Sequence, residues 1–436
     1  MSRQEQGGAA PPPSVASDAP RRSVLVAVAL AAALVYWPYL SLPPLVDDYG
    51  HARLAQLYGP PEGWKQLFAD PLYRCRATSL WLTAALLGLF GFSPLVFHLA
   101  SLSLHILNAW LVYALGACRR IGWRTAAAAA FVFAVNERPH EAVIWFASVH
   151  ELLVFAFAMG ALLAWVRWLE GGSRGWLAAA AAGWLLALVS KESGVVLTFL
   201  LPAAALLYPG RRRAAVLTFL IGIVSTAIYF WLAWSGQAQH QHFHDGTFRF
   251  GLHFLRTMAN SAARGLWAWG GLALAVLWLE RRKAPWPVAG FAGVWFLAAL
   301  LPYAFLTYMP RIPSRHHYLA SAGFALLAAT AALLALERVQ RRRLAAAALA
   351  AVFLLHNGAY LWTWKREQFA GRAEVTERLL RMVAERPAEP VLLRCPLLTV
   401  YEARMAVWFR LGLDISVIQE QERPGPPMRV YECPQR

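Results

Sequence analysis

Long apolar runs alternate with short polar loops along most of the chain. The first run, 23–40, is long enough to cross a bilayer, and ten more runs follow it. The later runs lie near 94–117, 121–135, 141–166, 176–189, 193–208, 214–234, 253–279, 286–308, 317–336 and 344–362. The pattern predicts an all-α polytopic membrane protein with about eleven transmembrane helices. The runs at 121–135, 176–189 and 193–208 are short for a full crossing, so half-buried hairpins are the alternative there.

Composition agrees with the membrane class. Hydrophobic residues make up 58% of the 436 positions and charged residues 15%, which leaves too little polar surface for a soluble chain of this length. The net charge of +17 would suit a nucleic-acid partner, but the arginines occur in short clusters between apolar runs, so we expect no nucleic acid. The clusters are Arg119, Arg120 and Arg124; Arg167 and Arg174; Arg211 to Arg213; Arg281, Arg282 and Lys283; and Arg338 with Arg341 to Arg343.

The positions of these clusters predict sidedness. If every cluster faces the cytoplasm, an odd number of crossings precedes the C-terminus, and the segment after Trp364 lies outside. Residues 1–20 are expected to form a disordered cytoplasmic leader. An uncleaved anchor is favoured over a cleaved signal peptide, because the Pro/Ala-rich leader displaces the charged region and no clean small-x-small site follows the first apolar run. Usage rich in Ala, Arg, Leu and Trp suggests a bacterial inner membrane with the outer loops in the periplasm.

The predicted domains follow from this topology. Residues 21–364 form a transmembrane core whose first periplasmic loop is 42–93, and in that loop 78–92 is predicted to be a helix lying on the membrane. Residues 365–436 are more polar and read as a small outer α/β appendage, with a helix at 374–384 and strand-like runs at 391–394 and 428–431. Cys395 and Cys433 each follow such a run, either as a disulfide or as free thiols.

Two adjacent carboxylates, Asp47 and Asp48, come directly after the first apolar run. Ionised groups at a membrane edge are costly and usually have a function. The alternative is that they cap the helix predicted at 49–58, because Asp is a favoured cap residue. Two consecutive acids exceed what a cap needs, so we favour catalysis or substrate binding.

Further polar groups gather on the same predicted face. Lys191 and Glu192 are either a functional pair or a self-neutralising pair at a turn. Arg315, with His316, His317 and Tyr318, forms either an interfacial belt or a phosphate site, and the planar guanidinium favours phosphate. The segment 239–245 is rich in histidine. Its residues His240, His242 and His244 alternate as metal ligands could, but a solvated loop is favoured.

The order of these motifs resembles the GT-C integral-membrane glycosyltransferases, and within them the protein O-mannosyltransferase and TMTC-like branch. Besides the acidic pair, the resemblance rests on Phe97-His98, His105 to Ala109, Pro139 to Val143 with Trp145, Ser190 to Glu192 ending at Pro202, and Arg315 with Tyr318 to Ser321. It implies a polyprenyl-phosphate-linked sugar donor, transfer on the non-cytoplasmic face, inversion at the anomeric carbon and an essential acid in the first outer loop. The branch's usual Gly-Arg-x-Asp is replaced here by Ser148-Val149-His150-Glu151, and no tetratricopeptide repeats follow.

The resemblance assigns roles residue by residue. Asp47 or Asp48 would be the general base on the acceptor hydroxyl, with Asp48 taken as the base. The other aspartate would raise the pKa of the base, hold a divalent metal (Mg or Mn) or orient the acceptor, and these three alternatives stay open. The donor phosphate would bind Lys191, Arg315 and His317. The remaining expected substrate contacts are His140, Glu141, Glu151, Glu192 and Tyr318.

The predicted function is therefore an inverting membrane glycosyltransferase. Its partners would be a polyprenyl-phosphate-linked sugar, the lipid bilayer and a protein or glycan acceptor. The main alternative is a transporter or lipid-carrier flippase, which would place charges within the spans and repeat one half of the chain in the other. The sequence shows neither feature, and a non-catalytic scaffold would leave the gathered outer motifs unexplained.

Overall fold

The computed structural model describes residues 20–236, 238, 246–307, 310–421 and 428–433, and within them the chain is predominantly helical. His240, His242 and His244 lie outside the described residues. The α-helices are α1 (Arg22–Tyr36), α2 (Val46–Tyr58), α3 (Trp64–Ala69), α4 (Ala77–Phe90), α5 (Pro94–Ala114), α6 (Trp123–Val135), α7 (His140–Ile144), α8 (Val149–Leu169), α9 (Gly175–Leu188), α10 (Leu197–Leu206), α11 (Arg212–Ser235), α12 (His253–Leu279), α13 (Trp286–Leu300), α14 (Tyr318–Leu336), α15 (Arg342–Tyr360), α16 (Arg366–Glu385) and α17 (Val400–Leu411). The strands are β1 (Val391–Arg394), β2 (Ile418–Gln419) and β3 (Arg429–Glu432).

Each apolar run predicted to span the membrane contains a helix among the described residues. Among the described residues, eight helical segments are long and apolar enough to cross a bilayer, and the helices at 123–135, 175–188 and 192–206 are apolar but shorter. These three are the runs that the sequence marked as short. The all-α polytopic architecture is confirmed, and the chain is a multi-pass membrane protein.

Helix α14 runs through the centre of the bundle. It packs against α6, α12 and α13, and most of its residues are buried. Its approach to α13 depends on Gly323, where a Cβ atom would lie 2.6 Å from the backbone nitrogen of Phe296. In lipid, the hydrophobic effect does not drive helices together. Association therefore depends on close packing, which a small residue such as Gly323 permits.

The basic loops meet at one end of the bundle. Glu170 accepts hydrogen bonds from the backbone of Arg119 (2.9 Å) and from the Tyr208 hydroxyl (2.7 Å). Arg211 donates to the Leu169 carbonyl (2.8 Å), and Arg338 pairs with Glu280. These contacts join the loops near residues 119, 170 and 211 to one another, and the loop at 280 to the loop at 338.

The C-terminal residues form a small α/β region. Helix α16 continues α15 through a π-helical turn (Leu361–Lys365), so it begins well before the predicted residue 374. The three strands are parallel in the order β2-β1-β3, and a disulfide joins Cys395 to Cys433, just beyond β1 and β3. The predicted appendage is thus confirmed as a fold element.

This C-terminal region packs on α2, the helix that follows the first apolar run. The rings of Phe409 and Phe92 stack at 5.0 Å, and the guanidinium of Arg53 lies 4.6 Å from the Trp408 ring. Tyr49 is fully buried in the hydrophobic core of the C-terminal region. Helix α2 and the C-terminal region therefore form one packed unit.

The Gly323 contact gives a stability prediction. Gly323→Ala should lower the stability of the folded state by about 1–3 kcal/mol, because the added methyl group would press on the α13 backbone. The matched control is Gly293→Ala on α13, where a Cβ atom meets nothing within 4 Å. Thermal unfolding of the two variants in the same detergent measures the effect, and equal midpoints would contradict it.

Candidate active site

A cavity of about 610 Å³ opens at the end of the bundle opposite the basic loops. Its walls come from the start of α2, the segment before α4, the turn after α9, the 3-10 turn Ser314–His317 and the start of α17. The charged residues that line it are Asp47, Arg76, Lys191, Glu192, Arg315 and Glu402. Four of these, Asp47, Lys191, Glu192 and Arg315, are predicted site residues.

Asp47 and Asp48 occupy different environments although they are adjacent. Asp48 is 2% exposed, and its two carboxylate oxygens accept hydrogen bonds from the backbone amides of Leu45 (2.8 Å) and Ala147 (2.7 Å). Asp47 lines the cavity. Successive residues of a helix point about 100° apart, which is why one carboxylate faces the cavity and the other faces protein. The capping alternative thus describes Asp48.

Asp47 lies among other charges in the cavity. The Glu402 carboxyl is within hydrogen-bonding reach of Asp47. Burial, followed by Glu402, raises the pKa of Asp47 to about 8, and Arg315 opposes this shift. Asp47 is therefore a carboxyl group that changes protonation state near neutral pH, as suits a general base.

Lys191 is held by a buried carboxylate. Glu151 is fully buried and pairs with the Lys191 ammonium, and it also contacts His316 Nδ1 at 2.6 Å. The Tyr303 hydroxyl donates to the same carboxylate (3.1 Å), and its ring stacks on His316 at 4.1 Å. Glu151 does not line the cavity, so its place is behind Lys191, where it fixes the position of the cation.

Arg315 is fixed by a carboxylate and an aromatic ring. Its backbone amide donates to Glu141 Oε2 (3.3 Å), and its guanidinium is 3.6 Å from that oxygen. The Trp145 ring has two cations at 4.9 Å, Arg315 and Arg372. Glu141 is also within 4.0 Å of Arg372. Glu141 thus orients Arg315 from outside the cavity lining.

Glu192 and Arg76 form a second charged pair in the wall. Their side chains are 3.9 Å apart, and the Cys75 thiol donates to Glu192 Oε1 at 3.0 Å. Glu192 therefore reaches the cavity, as predicted for a substrate contact, while paired with an arginine. The local pairing of Lys191 with Glu192 is absent from the ion pairs of the described residues, since Lys191 pairs with Glu151 instead.

Three further predicted residues lie outside the cavity lining, besides Asp48, Glu141 and Glu151. The His140 ring contacts the Glu137 carbonyl (2.7 Å) and Ser314 Oγ (3.1 Å), and it does not line the cavity. Tyr318 is fully buried, and its hydroxyl bonds to His105 (2.8 Å) and Asn108 (3.1 Å) in the helical core. His317 is 2% exposed and packs against α12 near Gly265, on the other side of its 3-10 turn from His316.

Sequence reasoning missed several cavity residues. Arg76 lies in the predicted first outer loop but was not chosen as a site residue. His316 was not chosen either, although its neighbours Arg315 and His317 were. Glu402 belongs to a capping box with Thr399, whose hydroxyl accepts from the Glu402 amide (3.2 Å). That motif predicts the start of α17, but only the fold places it against Asp47.

A divalent metal at the acidic pair stays a prediction. Both oxygens of Asp48 accept backbone hydrogen bonds, and Asp47 lines the cavity. Across the described parts of the chain, no group of three or more His, Cys, Asp or Glu side chains is arranged to hold a metal ion.

Comparison with known proteins shows the fold. No family model matches the chain, and no curated protein matches it. The Archaeoglobus fulgidus oligosaccharyltransferase, in a complex with Zn and sulfate, matches over 90% of this chain with a TM-score of 0.52 and 14% identity. The ArnT protein of Cupriavidus metallidurans, bound to undecaprenyl phosphate, matches over 91% of this chain and 76% of its own length with a TM-score of 0.49 and 18% identity.

The archaeal match supports one conclusion. This chain spans 62% of that oligosaccharyltransferase, so the similarity is to part of the larger protein. At this identity the likeness concerns the fold, and it confirms the predicted GT-C fold. The O-mannosyltransferase and TMTC-like branch stays a prediction.

The unequal environments of the two aspartates predict unequal effects on stability. Asp48→Asn should destabilise the protein by about 1–3 kcal/mol, because an amide can accept at only one of its two terminal atoms and leaves one backbone amide unpaired. Asp47→Asn should leave the unfolding midpoint unchanged or raise it, because it removes a carboxylate whose ionisation is disfavoured by burial. Thermal unfolding at pH 8 compares them, and a larger loss in Asp47→Asn would contradict the assignment.

Proposed function

We propose that this protein is an inverting membrane glycosyltransferase that moves a sugar from a polyprenyl-phosphate donor to an acceptor hydroxyl. The observation that carries the proposal is the cavity itself. It holds the Asp47 carboxylate within electrostatic range of the Arg315 guanidinium, with Lys191 in the same wall, at the polar end of an apolar helical bundle. A base and phosphate-binding cations in one cavity are what this transfer requires.

The chemistry follows from these positions. Asp47 accepts the proton of the acceptor hydroxyl as that oxygen attacks the anomeric carbon, and the bond from that carbon to the phosphate oxygen breaks. Arg315 and Lys191 stabilise the negative charge that develops on the departing phosphate. The phosphate needs no proton to leave, so one carboxylate suffices, in contrast with the two-carboxylate glycoside hydrolases. A single displacement of this kind inverts the anomeric configuration.

We take Asp47, rather than Asp48, as the proposed base. Asp48 is engaged by two backbone amides and supports the start of α2 and the Ala147 segment. Asp47 is the carboxylate that an acceptor in the cavity would meet. We assign Asp48 a positioning role, since it fixes the helix from which Asp47 projects.

The finer parts of the proposal concern location and substrate class. The cavity lies at the end opposite the basic loops, which supports transfer on the periplasmic face of a bacterial inner membrane. The donor would be a polyprenyl-phosphate-linked sugar of the mannosyltransferase-like kind, and the acceptor a protein or glycan hydroxyl. The undecaprenyl phosphate in the ArnT structure is that protein's own ligand and serves here only to suggest a first donor carrier to test.

Sugar transfer in purified protein tests the proposal directly. Asp47→Asn should reduce transfer from radiolabelled polyprenyl-phosphate sugars by about 10²–10⁴-fold while donor binding persists, because only the base is lost. The matched control, Glu62→Gln, removes an exposed carboxylate of the same predicted loop outside the cavity lining. Undiminished transfer in Asp47→Asn would reject the base, and no transfer from wild type with any donor, together with movement of the intact lipid carrier, would favour the transporter.

The raised pKa of Asp47 predicts the pH dependence. Burial lowers the pKa of Lys191 to about 8, so kcat/KM should fall at high pH as that cation loses its proton. On the acidic limb, only the ionised Asp47 carboxylate can accept a proton, so kcat/KM should rise with pH. Glu402→Gln removes a neighbouring negative charge and should move this limb to lower pH. A rate profile from pH 5.5 to 9.5 for both proteins measures the shift, and a limb that is identical in the two would separate Glu402 from the base.

A further inference from the structure

A second group of cations lies on the other side of the Ser314–His317 turn from the cavity. We call it the Arg264 cluster, and it consists of Arg138, Arg264, Arg311 and Lys365. Helix α12 fixes the segment that carries Arg311 through three contacts. Asn260 donates to the Pro310 carbonyl (2.9 Å), the Ile312 amide donates to Ser261 Oγ (3.1 Å), and Arg264 donates to the Ile312 carbonyl (2.9 Å).

Arg138 and Lys365 complete the cluster. Ser314 Oγ donates to the Arg138 carbonyl (2.5 Å), and the Arg138 guanidinium lies 4.7 Å from the Trp267 ring on α12. Lys365, at the end of the π-helical turn, is within electrostatic range of Arg264 and Arg138. The four cations are thus carried by α12, the segment before α7, the segment before the 3-10 turn and the π-helical turn after α15.

The cluster has an excess of positive charge. Among the described residues, the acid that forms an ion pair with a member is Glu137, which is 2.6 Å from Arg138. Glu141 is also near, but its oxygens face Arg315 and Arg372 on the cavity side. Four cations and one dedicated carboxylate leave about three positive charges to be balanced by solvent or by a ligand.

His317, beside the Arg264 cluster, is a buried histidine whose ring lacks a hydrogen-bond partner among the described residues. It is 2% exposed, and neither of its ring nitrogens has a hydrogen-bond partner within the described part of the chain. Its neighbours in the field of the cluster are Arg264, Arg138 and Arg311, and its Nδ1 faces Gly265 on α12. Buried polar groups without partners are rare in proteins, and each one requires an explanation.

The backbone of α12 is strained beside these groups. Trp267 has φ 42° and ψ −150°, a backbone conformation that residues with a side chain rarely adopt. Its ring is 47% exposed and lies between Arg138 and His356, whose ring is 5.1 Å away. On the C-terminal side of Trp267, α12 exposes Leu272, Leu274 and Trp278. The cluster therefore lies where a polar surface meets an apolar one.

We propose that the Arg264 cluster binds the phosphate of the polyprenyl phosphate product after it leaves the cavity. This inference rests on the proposed function, which generates that product. A phosphate monoester carries up to two negative charges, whereas the sugar donor is a diester with one, so the cluster favours the product over the donor. The exposed leucines of α12 suit the isoprenoid tail. Arginine is well shaped for phosphate, and Trp267 covers the Arg138 side of the site.

Binding measurements on the purified full-length protein test this without requiring transfer. The probes are radiolabelled farnesyl phosphate, a monoester, and its methyl ester, which has the same tail and one charge. Wild type should bind two molecules of the monoester per chain, one in the cavity and one at the cluster, but one molecule of the methyl ester. Arg264→Gln with Arg311→Gln should bind one of each, because removing charge-assisted hydrogen bonds weakens binding about tenfold or more per bond.

Controls keep the result specific. Arg366→Gln is the matched variant, since Arg366 is an exposed cation beside Lys365 whose guanidinium donates to the Pro38 carbonyl (3.3 Å), and it should keep both sites. Arg311→Gln alone changes an exposed side chain and tests the cluster if the double variant fails to fold. Phosphatidylglycerol vesicles and inorganic phosphate are the competing probes.

The outcomes separate the two proposals. One monoester site in wild type, two sites in the double variant, or equal displacement by phosphatidylglycerol would overturn the assignment of the cluster to the product. Transfer is measured separately on the same preparations. Loss of the second site with normal single-turnover transfer supports the inference, while absence of transfer with two monoester sites would reject the proposed function and leave the binding preference standing.

Discussion

The burial of Glu151 is the constraint on which the polar end of the molecule depends. A fully buried carboxylate is tolerated only when cations and hydrogen-bond donors surround it. Lys191, His316 and Tyr303 meet this requirement, and each comes from a different segment of the chain. The single carboxylate therefore fixes the turn after α9, the end of α13 and the 3-10 turn before α14 relative to α8. The cavity is the space that these fixed segments leave on one side.

Neighbouring residues divide their roles because of helical geometry. Asp47 and Asp48 differ by one position, yet one carboxylate faces an open cavity and the other closes a backbone junction. Residues 315 to 317 show the same effect in a 3-10 turn, where successive side chains point about 120° apart. Arg315 and His316 face the cavity, and His317 faces α12. Asp48 and His317 were predicted to be site residues alongside Asp47 and Arg315, which lie close to them in the sequence. Neither Asp48 nor His317 lines the cavity.

Much of the fold could be predicted because bilayer spans leave a strong pattern in the sequence. The eleven apolar runs, the short length of three of them and the two strand-like runs at 391–394 and 428–431 correspond to observed elements, whereas β2 and the parallel pairing were not predicted. The candidate site could be predicted only in its general composition. Lys191 and Arg315 were found because charges are conspicuous between apolar runs. Glu402 and Arg372 were missed, since their role arises from the docking of a region more than 300 residues away from Asp47.

That docking has a consequence for the biogenesis of the protein. Asp47 is made early in synthesis, whereas Glu402, Tyr401 and Thr399 enter the cavity wall from α17. A ribosome adds residues in order, so the cavity has no complete wall until the last tenth of this chain has emerged and folded onto α2. During this interval a nascent chain lacks the wall that α17 contributes to the cavity of the finished protein. The order of synthesis therefore delays completion of the cavity until α17 has folded onto α2.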